Sequence, residues 1–138
     1  LDVSETMLAA ARTRLARFDN VRTELGDVQH MPAAARSFDQ VLMLHVLAHT
    51  RAPARAIAEA ARVLRPGGAL VLLTVDRHAH AAVGRAYGHL QPGFRPARLR
   101  RLLRQAGLSV HTCAVTSRDR RPPHFGVVTA FARKGGPS

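Results

Sequence analysis

The chain has 138 residues, 46% of them hydrophobic, which is enough for one domain with one core and excludes a disordered chain. No apolar run approaches the roughly 20 residues that a membrane-spanning helix needs, so a membrane span is excluded as well. The formal net charge is +12, and arginine supplies all but one of the 21 basic residues.

The N-terminal residues lack the basic, apolar and small-residue order of a signal peptide, so we expect a cytoplasmic protein. Cys113 is the only cysteine, which excludes an internal disulfide. The densest arginine groups, residues 95–104 and 118–121, have few aromatic neighbours. Because bases would have little to stack on, we expect a solvated helix face and a hairpin loop there, and no nucleic-acid partner for this segment.

In chain order, the first predicted elements are a helix and two strands. Ser4 can cap the helix, whose apolar residues recur at helical spacing. Residues 21–25 alternate as a short strand, and residues 38–47 form a nearly continuous apolar run. Such a run is typical of a strand covered on both faces in a parallel sheet. Asp2 also ends a strand, of which the chain contains a single residue.

The second half of the chain alternates between helices and strands. Pro53 suits the first turn of a helix, which the Arg-Pro-Gly-Gly stretch at 65–68 ends. Residues 69–75 are typical of a second buried parallel strand, and a leucine-rich helix follows. Two strands, residues 108–116 and 124–132, close the chain, and the loop between them favours an antiparallel return. Alternating β and α elements predict an α/β fold with an open sheet.

Open α/β sheets bind ligands at the carboxyl ends of their strands. In this chain those positions hold carboxylates and several imidazoles: Asp2, Asp27, His45, Asp76, His78 and His80. We therefore expect these groups to share one rim of the sheet.

Three longer stretches carry a resemblance to a known family. They are LDVSETML, GDVQHMPAAARSFDQVLMLHVLAH and EAARVLRPGGALVLLT, in this order and at this spacing. Together they resemble class I S-adenosylmethionine-dependent methyltransferases, most closely the quinone-methyltransferase-like branch, methyltransferase type 11. The resemblance implies a Rossmann-like open sheet, mostly parallel with a C-terminal antiparallel hairpin. Residues 1–134 would form a partial methyltransferase domain, and residues 135–138 a flexible tail.

The family begins with a strand and a glycine-rich turn of the form G-x-G-x-G, and the chain shows no such turn. The resemblance also implies the strand order 3-2-1-4-5-7-6, with strand one at the centre. We therefore expect the first strand, its helix and most of the second strand to lie upstream of Leu1, as part of a longer protein.

The resemblance implies S-adenosylmethionine as the cofactor. Asp2 corresponds to the acid that holds the ribose hydroxyls, and a carboxylate that accepts two hydroxyl hydrogens is a strong, oriented contact. Asp27 corresponds to the residue that faces the exocyclic amine of adenine, and the Val28 N–H faces a ring nitrogen. Further cofactor contacts are expected from Val3, Met7 and Leu44.

The expected acceptor is a small molecule, and histidines are its candidate partners. Methyl transfer is an in-line displacement in which the protein positions the acceptor and can remove one proton. His45, at the strand end nearest the expected methyl group, is the candidate general base, and His49, His78 and His89 are assigned to the substrate pocket. His45 and His49 are four residues apart, but Val46 stands where a zinc metalloprotease needs its glutamate, so no metal is expected.

A narrower resemblance supplies an alternative function. Residues 86–94, AYGHLQPGF, are similar to a stretch in bacterial chains that join an ArsR-type winged-helix repressor to a methyltransferase-like domain. In that case the segment is a non-catalytic domain that senses S-adenosylmethionine or a metabolite, and DNA is bound by an upstream winged helix.

Overall fold

The computed structural model describes residues 1–136, so half of the predicted tail lies outside the described residues. None of the helices in this range has the length and apolar character needed to span a membrane. The elements are, in chain order, α1 (Glu5–Leu15), β1 (Phe38–Leu44), a 3₁₀ turn (Leu47–His49), α2 (Pro53–Val63), β2 (Leu64–Val75), α3 (Ala81–Ala86), α4 (Pro96–Gln105), β3 (Leu108–Arg118) and β4 (Gly126–Lys134).

The strands form one open mixed sheet in the order β1-β2-β4-β3. β1 and β2 are parallel, with Leu42 opposite Val71, whereas β4 runs antiparallel to both of its neighbours, β2 and β3. This order equals the 4-5-7-6 part of the strand order that the resemblance implied. The predicted α/β class, open sheet and C-terminal antiparallel hairpin are therefore confirmed.

Helices α2 and α4 pack against the sheet and supply much of its core. Their apolar stripes include Ile57 and Ala60 on α2 and Leu99 and Leu103 on α4, all fully buried. Phe94, which precedes α4, is fully buried as well. Full burial of one large apolar side chain is worth about 1.5–3 kcal/mol, so the stripes that predicted the helices also hold them to the sheet.

α2 ends at Val63, and the Arg-Pro-Gly-Gly stretch predicted to end it follows as part of the first half of β2. Gly67 has a φ of +79°, which residues with a side chain rarely adopt. A Cβ on Gly68 would lie 2.9 Å from the Arg65 carbonyl oxygen, so glycine is required there by close approach. The Lys134 ammonium donates to the Ala61 carbonyl at 2.6 Å and thereby satisfies part of the open C-terminal end of α2.

The prediction of a strand over residues 21–25 is wrong for the described part of the chain. This segment contributes a single parallel bridge, between Leu25 and Asp2, and most of its residues are exposed. Alternation of apolar residues makes a strand possible, but a strand also needs partners that supply hydrogen bonds along its length.

The apolar run at 38–47 is shorter as a strand than predicted, because β1 ends at Leu44. It is also not covered on both faces: Met43 is buried, whereas Leu42 and Leu44 are 60% and 55% exposed. Within residues 1–136, β1 has a hydrogen-bonded neighbour on one side only, which leaves its other edge open.

We expect hydrogen exchange to separate these regions. Amides of residues 21–25 should exchange early because the segment is exposed and held by one bridge, whereas residues 69–75 lie in β2 between two strands and should stay protected. Exchange on the 138-residue chain, followed by mass spectrometry, measures both. Uniform protection of the two regions, with a cooperative melting transition and cofactor binding, would contradict the prediction of a first strand upstream.

Candidate functional site

The bridge between Asp2 and Leu25 brings two predicted cofactor segments together. The Asp2 N–H donates to the Glu24 carbonyl at 3.1 Å, and the Gly26 N–H donates to the Asp2 carbonyl at 2.9 Å. Asp27 follows directly. The segment that carries Asp2 therefore lies beside the turn that carries Asp27.

Asp2 keeps acceptor capacity for a ligand. Its Oδ1 accepts the Ser4 N–H at 2.8 Å, and the Ser4 hydroxyl caps α1 by accepting the Met7 N–H at 3.3 Å. Its Oδ2 has no hydrogen-bond partner among residues 1–136, and the side chain is half-buried. A carboxylate in this state can accept further hydrogens from hydroxyl groups.

The Asp27 carboxylate is held in place by Gln29. Oδ1 accepts the Gln29 backbone N–H at 2.8 Å, and Oδ2 accepts its side-chain amide at 3.1 Å. These hydrogen bonds, chiefly that from the backbone, hold the pKa of Asp27 below its usual range, so the group is ionised at neutral pH. The adjacent Val28 N–H has no acceptor within the described part of the chain.

The three apolar residues expected to contact the cofactor are all exposed. Val3 and Met7 flank the Asp2 segment, and Leu44 is the last residue of β1. Their surfaces are open to a ligand, and the contacts themselves stay predictions.

His45 lies where the sequence placed it, at the carboxyl end of β1. Its N–H donates to the Leu73 carbonyl at 2.8 Å, which extends the pairing of β1 with β2 by one residue. Its φ is +56°, a left-handed conformation in which histidine is enriched relative to most residues with a side chain. The imidazole is exposed at this turn.

His49 is fixed by a contact across the rim. Its Nδ1 lies 3.1 Å from the Gly88 carbonyl oxygen. Because a carbonyl can only accept, Nδ1 carries the proton and donates it, which leaves Nε2 with a lone pair. The Leu90 N–H donates to the Ala48 carbonyl at 2.7 Å and ties the 3₁₀ turn to the same loop.

His78 and His89 meet beside His49. The ring centroids of His78 and His89 are 6.1 Å apart, and those of His49 and His89 are 5.1 Å apart. His78 Nδ1 accepts the His80 N–H at 3.2 Å, so neutral His78 carries its proton on Nε2. That Nε2 and the Nδ1 of His89 are buried atoms without a hydrogen-bond partner among the described residues. Buried polar atoms normally have a partner, so these two nitrogens are candidates for a hydrogen bond to a ligand group.

Burial is the main cause that lowers the pKa of both His78 and His89. The neighbouring imidazoles, His80 for the first and His49 for the second, lower it further because two like charges repel. Since the ordinary pKa of histidine is about 6.5, both rings are neutral at pH 7. A neutral imidazole can accept a proton or a hydrogen bond.

A groove of about 210 Å³ is lined by His78 and His80 and not by His49 or His89. Residues 76–80 form one side of it, and Arg118 with residues 123–126 forms the other. The ring of Phe125 packs against that of His78, with the centroids 4.4 Å apart.

The sequence did not point to Arg118 or Phe125. They reach the rim because the Asp76 N–H donates to the Gly126 carbonyl at 2.8 Å, which places the loop between β3 and β4 at the end of β2. The sequence contained one signal for this side of the groove, an aromatic residue at the end of a hairpin loop. That signal becomes informative once the pairing of β2 with β4 is known.

The histidines do not form a metal centre of their own. In residues 1–136, no group of three or more His, Cys, Asp or Glu side chains is arranged so that it could hold a metal ion. Of these histidines, His78 lines the open groove together with His80.

Comparisons with known proteins point to one family. Residues 1–72 match the family described as a methyltransferase domain. An uncharacterized 37.1 kDa protein in transposon Tn4556 of Streptomyces fradiae is 38% identical over 125 residues, which is 81% of this chain and 36% of that protein. A ubiquinone/menaquinone biosynthesis C-methyltransferase of Roseobacter denitrificans is 34% identical over 90 residues, which is 63% of this chain and 36% of the enzyme.

Among solved structures, the trans-methyltransferase CalH in complex with SAH aligns with a TM-score of 0.76 at 24% identity. The alignment covers 97% of this chain and 41% of CalH. At this identity the likeness concerns the fold, and it confirms the predicted Rossmann-like architecture. The chain spans about a third of the length of the two curated relatives.

Proposed function

Because the chain belongs to the methyltransferase-domain family, we propose that it forms part of the cofactor site and the acceptor side of an S-adenosylmethionine-dependent methyltransferase acting on a small molecule. Family membership supports the predicted enzyme class and cofactor. The observation that carries the proposal for the site is the cluster of His49, His78 and His89 at the strand ends, of which His78 also lines an open groove.

The residues present fit S-adenosylmethionine. Asp2 has a free carboxylate oxygen for hydroxyl groups, Asp27 is an ionised acceptor, and the Val28 N–H is a free donor for a ring nitrogen. Exposed Val3 and Met7 add apolar surface beside them. When bound, S-adenosylmethionine supplies a methyl group on a positively charged sulfur.

The acceptor would lie in the groove beside the histidines. Its volume of about 210 Å³ is below the roughly 300–1,000 Å³ of pockets for drug-sized ligands, which favours a small acceptor or one reaching partly out of the groove. Phe125 offers an apolar wall, and His78, which also lines the groove, has an unpartnered Nε2 for a polar group. His49 and His89 lie beside His78 without lining the groove, and their place in the substrate pocket stays a prediction. Orienting the acceptor in this way is the main contribution that such a site can make.

His45 is proposed to take the proton that the acceptor loses. It lies at the carboxyl end of β1, where its N–H donates to the Leu73 carbonyl, and its imidazole is exposed. His78 and His89, held neutral by burial, would orient the same acceptor group rather than carry its proton away.

Transfer of a labelled methyl group from S-adenosylmethionine tests the proposal. The natural full-length protein should methylate at least one member of a panel of small quinols, phenols and their phosphorylated analogues, and excess SAH should inhibit it. His111→Gln serves as the matched control, because His111 is exposed on β3 and outside the groove.

Binding of S-adenosylmethionine without transfer to any acceptor of the panel would contradict the proposal. It would favour the alternative in which this segment is a sensing domain of an ArsR-type regulator. In that case DNA binding by the full-length protein should respond to the ligand.

A further inference from the structure

A second groove near the strand ends is lined almost entirely by arginine. Its volume is about 350 Å³, and its lining consists of Arg77, Gly93, Arg95, Arg98 and Arg101. Within residues 1–136, the ion pairs involve other arginines, so none of these four guanidinium groups is neutralised by a carboxylate.

The backbone fixes Arg77 and Arg95 on two segments that cross closely. Gly93, between them in space, has a φ of +86°, and a Cβ there would lie 2.3 Å from the Asp76 carbonyl oxygen. Only glycine allows this approach. The Phe94 N–H donates to the β2 backbone at 2.9 Å and completes the crossing.

Helix α4 adds the remaining cations. Arg95 is the N-cap of α4, and Arg98 and Arg101 are three residues apart within the helix, so these two are neighbours on its surface. The Arg98 guanidinium carbon is 5.0 Å from the centroid of the Phe94 ring, which is itself fully buried. This contact holds one of the four cations over a fixed ring.

Four like charges around one groove repel each other, and the ligand that relieves this repulsion carries more than one negative charge. The planar guanidinium fork matches the oxygens of phosphate with two parallel hydrogen bonds. A monocarboxylate would leave most of the charge unbalanced. Nucleic acid is disfavoured because Phe94 is buried under Arg98 and offers no face on which a base could stack.

Arg77 lines this arginine groove and also the groove beside the histidines, so the two adjoin. We propose that the arginine groove binds the phosphate or diphosphate group of the methyl acceptor, whose remaining part extends toward His78 and Phe125. The proposal of an anion site depends only on the arginines. Its assignment to the methyl acceptor depends in addition on the proposed function.

Titration with inorganic pyrophosphate tests the anion site directly. Calorimetry on the 138-residue chain at low ionic strength should show saturable binding, and Arg95→Gln combined with Arg101→Gln should weaken it by about tenfold or more. Both side chains are exposed, so their replacement should leave the fold intact. The control pair Arg14→Gln with Arg22→Gln removes the same charge elsewhere and should change the affinity less than about twofold.

An equal loss of affinity in the control pair would show attraction by net charge alone and overturn the proposal. A single-stranded oligonucleotide that displaces pyrophosphate and binds more tightly with increasing length would assign the groove to nucleic acid and overturn it as well.

The experiments distinguish a failure of the inference, that the arginine groove binds the methyl acceptor, from a failure of the proposed function. If methyl transfer occurs and pyrophosphate neither binds nor competes with the acceptor, the function stands and the inference is wrong. If pyrophosphate binds and competes with a phosphorylated acceptor, while the paired glutamine variant raises the KM for that acceptor by about tenfold, both are supported.

Discussion

Replacing His45 by glutamine is expected to lower the turnover number of methyl transfer by about 10²-fold or more while leaving the affinity for S-adenosylmethionine nearly unchanged. The reason is that glutamine keeps a polar side chain of similar length at the end of β1 but cannot take up a proton. Turnover is measured with a saturating acceptor, and cofactor affinity is measured by calorimetry on the same preparation.

The backbone at His45 requires a second variant, because its φ is +56° and not every side chain tolerates that conformation. Asparagine does, so His45→Asn keeps the turn and removes the imidazole. Both variants should lose turnover alike, and His111→Gln should not. A parallel fall of turnover and cofactor affinity would make His45 a binding residue, and no change in either would leave it as an ordinary surface histidine.

The core of this fold could be predicted from the sequence because its signals are local. The stripe that contains Ile57 predicted α2, and the apolar run at 69–75 predicted the second half of β2. Burial of these side chains confirms that the same periodicity drives packing. The rim position of the histidines followed, because residues after parallel strands must lie at their carboxyl ends.

The errors and omissions concern contacts between distant parts of the chain. Residues 21–25 alternate like a strand, but whether they form one depends on partners that the local pattern does not contain. The link from His49 to Gly88 spans 39 positions, and Phe125 reaches His78 only through the pairing of β2 with β4. No spacing rule relates such residues, so the groove that His78 and Phe125 line could not be predicted from the sequence.

The arginine groove shows the same difference between local sequence signals and contacts between distant parts of the chain. Sequence composition suggested that residues 95–104 form a solvated helix face, and the exposed Arg95 and Arg101 agree with that. Composition could not indicate that Arg77, on another segment, lines the same groove, because the tight turn at Gly93 creates this proximity.

Replacing Asp2 by alanine in the natural full-length protein is expected to weaken S-adenosylmethionine binding by about 1.5–3 kcal/mol, the range for hydrogen bonds to a charged group. This corresponds to an increase of the dissociation constant by about 10- to 150-fold. The expectation rests on the free Oδ2 of Asp2 and on the bridge that places this residue beside the Asp27 turn. Calorimetric titration with the cofactor measures it without any acceptor.

Alanine also removes the acceptor for the Ser4 N–H, so the variant alone would mix ligand binding with the start of α1. Asp2→Asn separates the two, because its amide oxygen can still accept from Ser4 while its NH₂ group cannot accept a hydroxyl hydrogen. The asparagine variant should therefore lose most of the cofactor affinity and keep the helix, as judged by circular dichroism. Asp19→Ala, which removes an exposed carboxylate from the same part of the chain, should bind as the unmodified protein does. Unchanged affinity in both Asp2 variants would remove this residue from the cofactor site, and an equal loss in Asp19→Ala would attribute the effect to net charge.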